Sequence, residues 1–113
     1  MSEAYDSCEK LSGVSVCGPN VTNMYSTYWR CTNLSAGDHY WYSPNVTNVR
    51  GCFHGKPSAR RYNIHVPANS TTLNTILNEP AFVNVLKNCT FQKNITSGYY
   101  YNTYHNIYIY PDL

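Results

Sequence analysis

The sequence predicts an all-β fold, an antiparallel β-sandwich in a single domain over residues 1–113. Three observations carry this. Aromatic and β-branched residues occur in short runs, Gly, Pro, Asn and Ser punctuate the chain between them, and no long segment has helical periodicity. About eight short strands with frequent turn signals read as a sandwich. The chain reads without internal repeat, linker or charge run.

The elements follow in order. Leu11 to Cys17 reads as a strand ending at Gly18-Pro19. Met24 to Cys31 is aromatic and β-branched, and reads as a second. His39 to Tyr42 is short and stops at Ser43-Pro44, and Asn48 to His54 stops at Gly55-Lys56-Pro57. Arg61 to Val66 alternates, with Tyr62, Ile64 and Val66 on one face and Asn63 and His65 on the other. The best helical spacing is Leu73, Ile76 and Leu77 within Thr71 to Leu77, ahead of Pro80. Phe82 to Phe91 puts Val83, Val85, Cys89 and Phe91 on one strand face, with Lys87 breaking the pattern. Gly98 to Tyr104 and Asn106 to Tyr110 read as a hairpin turning near His105-Asn106.

Charge excludes some functions. The 113 residues are 12% charged, with eight Lys/Arg, six Asp/Glu and a net charge of +2. Nucleic-acid binding needs a dense basic face, which these scattered cations do not make. Asn-x-Ser/Thr sequons occur at Asn20, Asn33, Asn45, Asn69, Asn88 and Asn94. Fourteen asparagines among twenty Ser/Thr would give roughly 2.5 by chance, so the excess predicts an N-glycosylated, extracellular chain. Five cysteines, Cys8, Cys17, Cys31, Cys52 and Cys89, contain no C-x-x-C pair, which favours disulfides over metal and leaves one thiol over. No signal peptide or membrane-length apolar run is present, so the chain reads as a mature fragment or a piece of a longer ectodomain.

Catalytic patterns are lacking. Neither G-x-S-x-G nor Gly-Asp-Ser occurs, since Gly13-Val14-Ser15 runs into Val16-Cys17 and Gly37-Asp38 into His39. Nothing favours a glycosidase pair among the six acids. No catalytic residue, metal ligand or cofactor is expected. His39, His54, His65 and His105 read as surface or turn residues, with endosomal pH sensing as the alternative, and Arg60-Arg61 as a cationic turn before a strand. The candidate ligand-binding residues are aromatic: Trp41 and Tyr42 in a Pro-bounded segment, and Tyr99, Tyr100 and Tyr101, with Tyr104, Tyr108 and Tyr110, in the tyrosine-rich C-terminal hairpin. Tyr and Trp stack on sugars and suit protein interfaces, while core packing and cross-strand pairing compete for the same residues.

Three stretches carry a resemblance: Trp29-Arg30-Cys31-Thr32-Asn33-Leu34-Ser35, Tyr62-Asn63-Ile64-His65-Val66, and Leu86-Lys87-Asn88-Cys89-Thr90-Phe91 with Asn94-Ile95-Thr96 after it. Their order and spacing over residues 29–96 resemble the N-terminal domain of the S1 subunit of coronavirus spike glycoproteins, the alphacoronavirus kind most of all. The resemblance implies a galectin-like sandwich on a trimeric viral glycoprotein and a Cys31–Cys89 disulfide. It further implies attachment to a host cell-surface glycan or protein receptor. The family's domain is longer, and its second late cysteine has no counterpart here. The expected function is therefore a non-enzymatic viral surface domain for host attachment and glycan shielding. The alternative is a secreted or membrane-anchored viral immunomodulatory glycoprotein with an immunoglobulin-like sandwich. Asn94-Ile95-Thr96-Ser97-Gly98-Tyr99-Tyr100 resembles the turn before that fold's strand F, although no cysteine follows Cys89.

Overall fold

The computed structural model describes residues 15–16, 18–31 and 34–113. The expected strand over Leu11 to Cys17 lies mostly outside these, as do Cys8, Cys17 and Asn33. Among the described residues the fold is β-rich, with six strands and one short helix: β1 Ser15–Val16, β2 Gly37–Trp41, β3 Tyr62–His65, α1 Thr71–Leu77, β4 Gln92–Lys93, β5 Tyr100–Asn102 and β6 Ile107–Tyr110. They form one mixed sheet in the order β1-β2-β3-β6-β5-β4. The expected antiparallel pairing holds for β4, β5 and β6. It fails for β1, β2, β3 and β6, which run parallel. Among the described residues there is one sheet rather than two facing ones.

Alternation sets the strand faces. Tyr62, Ile64, Ile107 and Ile109 are fully buried, with Val16 and Trp41 at 1% exposure, while Asp38, Tyr40, Asn63, His65, Tyr108 and Tyr110 alternate with them on the outer face. The hairpin turns at Asn106, whose φ of 55° suits an asparagine. In α1, Ser70 Oγ accepts from the Leu73 amide at 3.1 Å, an N-cap, and Leu73 and Ile76 are buried.

The parallel strands expose a repeat that the sequence reading missed. Ser15 pairs with Tyr40, Gly37 with Tyr62, and Asn23 bridges Asn48 in parallel; the partners in each pair are 25 positions apart. At the same offset Pro19-Asn20-Val21-Thr22-Asn23 recurs identically as Pro44-Asn45-Val46-Thr47-Asn48. The chain is thus wound as a short solenoid, each rung contacting its neighbours.

Opposite the strands lie turns. Met24 to Cys31 and Asn48 to His54 are not the extended strands expected. The amides of Met24, Ser26, Tyr28 and Arg30 donate across to the carbonyls of Asn48, Arg50, Cys52 and His54 at 2.6–3.0 Å. The amides between them, of Thr27, Trp29 and Cys31, close turns onto Met24, Ser26 and Tyr28. The next rung repeats this, with Cys52, His54 and Lys56 bonding Val49, Gly51 and Phe53. Left-handed φ values recur in register, at Ser26 (51°) and Gly51 (63°), then Arg30 (57°) and Gly55 (91°). Aromatic and β-branched composition suggested strands because it serves stacking between rungs: Tyr28 lies on Phe53 at 5.0 Å and Trp29 on His54 at 3.9 Å. Trp29 is half-buried. Phe82 to Phe91 also forms turns, with one short bridge from Asn84 to Lys87. The carbonyls of Ala81 and Phe82 cover the second rung by accepting from Gly51 and Phe53.

Gly51 shows how tightly the rungs stack. A Cβ there would lie 3.0 Å from Trp29 Cζ3 and 3.2 Å from Val85 Cγ1. Gly51→Ala is expected to cost about 1–2 kcal/mol, from left-handed strain plus crowding, seen as a lower urea midpoint with unchanged slope.

Candidate functional site

The outer face of the sheet gathers some of the aromatic residues that the sequence singles out, together with others that it does not. Register places Tyr40, His65 and Tyr110 side by side on β2, β3 and β6. Their rings stack: Tyr40 on His65 at 4.6 Å and 17°, His65 on Tyr110 at 5.0 Å and 18°. The row extends to Tyr42 beyond Tyr40 (6.3 Å) and to Tyr99 beyond Tyr110 (5.3 Å). A second row runs beside it, where Tyr101 pairs Tyr108 across the hairpin and the Arg61 guanidinium covers the Tyr108 ring at 3.8 Å. Arg61 also donates to Tyr110 Oη at 2.9 Å and to Asn63 Oδ1 at 2.8 Å. Rings stacked face to face present edges and hydroxyls outward. Tyr42, at the end of the row, is 51% exposed.

His65 sits at the centre of the face. Its Nε2 meets Asp38 Oδ1 at 2.7 Å, and its Nδ1 meets Asp112 Oδ2 at 2.8 Å and Oδ1 at 3.0 Å. Burial pulls its pKa down, but the hydrogen bonds and charges of Asp38 and Asp112 outweigh this and raise it above the ordinary histidine value. The hydrogen bond to His65 holds the Asp38 carboxyl below its usual range, against a burial contribution that raises it.

The candidate residues divide. Tyr42, Tyr99 and Tyr101 are on the outer face. Trp41 is not: it is 1% exposed and packs against Tyr28, Phe53 and Phe82, so it belongs to the core. Tyr100 pairs with Ile109, turns toward the core and packs against it. Asp38, Tyr40, Arg61, His65 and Asp112 are not among the candidate ligand-binding residues of the sequence, whereas Tyr108 and Tyr110 belong to its tyrosine set. Period-2 alternation in His39–Tyr42, Arg61–Val66 and Asn106–Tyr110 puts most of them on one face, but only parallel register brings those faces together.

Four sequon asparagines, Asn20, Asn45, Asn69 and Asn88, are exposed and Asn94 is half-exposed. Asn20 and Asn45 hold the same position in successive rungs, and Asn45 Nδ2 donates to the Pro19 carbonyl at 3.0 Å. Cys31, Cys52 and Cys89 are buried. Cys89 is a free thiol, so the Cys31–Cys89 bridge implied by the spike resemblance is not formed in this structure. Burial pushes the Cys52 thiol well up, and pushes Cys89 to about 12 despite Lys56. Both are inert as nucleophiles at neutral pH.

Among the described residues no three His, Cys, Asp or Glu side chains are placed to hold a metal ion, and no helix is long and apolar enough to cross a membrane. A groove of about 140 Å³ beside Tyr101, lined by Thr90, Gln92, Asn102, Thr103 and Tyr104, is smaller than the roughly 300–1,000 Å³ of ligand pockets. No protein-family model, curated protein or solved structure matches this chain.

Proposed function

We infer that the chain is a non-enzymatic recognition module of a viral surface glycoprotein, attaching to a host glycan or protein receptor through the outer face of its sheet. The observation that carries this is the tyrosine face itself, where Tyr40, Tyr42, Tyr99, Tyr101 and Tyr110 lie beside Asp38, Arg61 and Asp112. Tyrosine and arginine dominate interface hot spots, and their hydroxyls and charges supply direction. Edge-on rings favour a protein surface over sugar stacking in the middle of the row, while Tyr42 at its end has room for a sugar. Exposed sequons support N-linked shielding in an extracellular compartment. The viral, trimeric and galectin-like parts of the reading rest on the spike resemblance over residues 29–96. The single mixed sheet lends the galectin-like sandwich no support, so the attachment role stands on the face alone.

Two experiments test the reading. Secreted from eukaryotic cells, the chain should lose mass on enzymatic deglycosylation. On arrays of glycans and receptor ectodomains it should bind, and Tyr42→Ala with Tyr101→Ala should weaken that binding about tenfold or more, as expected for interface tyrosines. Failure of the parent chain to bind on either array overturns the attachment reading.

A further inference from the structure

The bonding of His65 specifies its protonation state. Carboxylates only accept hydrogen bonds, so a ring with a carboxylate at each nitrogen must donate from both, which only the imidazolium does. The tyrosine rings of Tyr40 and Tyr110 lie above and below it at 4.6 and 5.0 Å, a cation–π sandwich that again favours the charged form. The ring is thus held in its plane by two anions and on its faces by two π systems, from three different segments.

We propose that His65 is a proton-operated clasp on the recognition face, tying β2 to the segment after β6 when protonated and releasing one of them when neutral. The proposal rests on the attachment reading only in calling this face the recognition surface. A neutral imidazole keeps one N–H, and its bare nitrogen then faces a carboxylate with lone pair against lone pair. One carboxylate must withdraw. Asp38 is inside β2, where it pairs with Asn63 of β3, and β2 is held on its other side by β1 at Tyr40 and Trp41. Asp112 is beyond β6, where only Leu113 continues the pairing, through its amide to Val66 and its carbonyl to Ala68. Asp112 is therefore the group that moves, and Tyr110 next to it loses the charge it stacks on. The groups facing the clasp are Asp38 and Tyr40 from β2, Tyr110 from β6 and Asp112. Arg61, the residue before β3, bonds Tyr110, and His39, next to Asp38, acts on it when charged.

The sign follows. Because the folded pKa is raised, the clasp stabilises fully below the ordinary histidine value of 6.5 and is lost as pH rises through the folded pKa. The measurement is a pH titration of the intact, isotopically labelled chain by NMR. At acid pH both His65 ring nitrogens should be protonated, the midpoint should exceed 6.5, and the Leu113 amide should follow the same curve. Asp112→Asn should lower the midpoint and uncouple Leu113. Asp38→Asn should lower the midpoint and leave Leu113 still, because the neutral ring can then donate to Asp112 from Nδ1 while Nε2 accepts from the new side-chain amide. A wild-type midpoint at or below 6.5, or a Leu113 signal that stays still through the His65 transition, overturns the proposal. Since no partner is needed, failed receptor binding beside an intact titration would count against the attachment role alone.

Discussion

Phe53→Ala is expected to cost about 3–5 kcal/mol of folding stability, the usual range for emptying a buried phenylalanine site. Phe53 is 2% exposed, and its ring meets four others: Tyr28 at 5.0 Å, Phe82 at 5.4 Å, Tyr62 at 5.5 Å and Trp41 at 5.9 Å. Each comes from a different part of the coil: the first turn ribbon, the segment over the second, β3 and β2. The site cannot collapse without shifting all four, so the cavity persists and the cost falls at the upper end. A domain of this size has a total stability of about 5–15 kcal/mol, so the variant sits near its unfolding threshold. Urea unfolding followed by tyrosine and tryptophan fluorescence reads this directly. Phe53→Leu should lose much less, because most of the volume remains. A loss below about 1 kcal/mol for Phe53→Ala would mean that this stack does not lock the rungs together.

Half of this arrangement was readable in the sequence. Strand β3, the hairpin β5–β6 and the short β2 follow from alternation between turn residues, and α1 from Leu73, Ile76 and Leu77 behind the capping Ser70. The turn ribbons were not readable by composition. Their aromatic residues pack between rungs, and left-handed φ at Ser26 and Arg30 is not announced by glycine. Parallel pairing was missed because parallel strands ordinarily signal themselves through helical crossovers, and here the crossovers are turns. The signal that could have found it is the duplicated Pro-Asn-Val-Thr-Asn, whose spacing equals the strand register.

That duplication also changes the meaning of the sequon excess. Asn20 and Asn45 are copies of one motif, so the six sites are not independent. The repeated residues have structural work as well. Asn23 and Asn48 each accept from the amide two residues on, Tyr25 at 2.9 Å and Arg50 at 3.1 Å. Thr47 donates both its amide and its hydroxyl to the Thr22 carbonyl. Rung stacking is therefore a second source of Asn and Thr at this spacing, alongside glycosylation. The same holds for tyrosine, since the stacked row uses ring faces to join strands.

Where α1 replaces the third turn ribbon, side chains must do what backbone did in the rung before. Thr72 does most of it. Its hydroxyl donates to the Ser43 carbonyl at 2.5 Å and accepts from the Val46 amide at 3.0 Å, while its own amide reaches the Pro44 carbonyl at 3.3 Å. Thr72, Ser43 and Val46 are all fully or almost fully buried, so water cannot take over these bonds. Thr72→Val keeps the shape and removes the hydroxyl, leaving a donor and an acceptor stranded. With about 1–3 kcal/mol for each stranded buried group, the expected loss is about 2–6 kcal/mol. Thr72→Ser keeps both bonds and loses one methyl, and should cost only about 1 kcal/mol. Urea midpoints of the two variants, with equal slopes, separate the hydroxyl from the methyl. If the serine variant falls as far as the valine variant, packing rather than hydrogen bonding joins the helix to the second rung. If the valine variant alone falls, one threonine hydroxyl carries the junction at which the repeat ends and the helix begins.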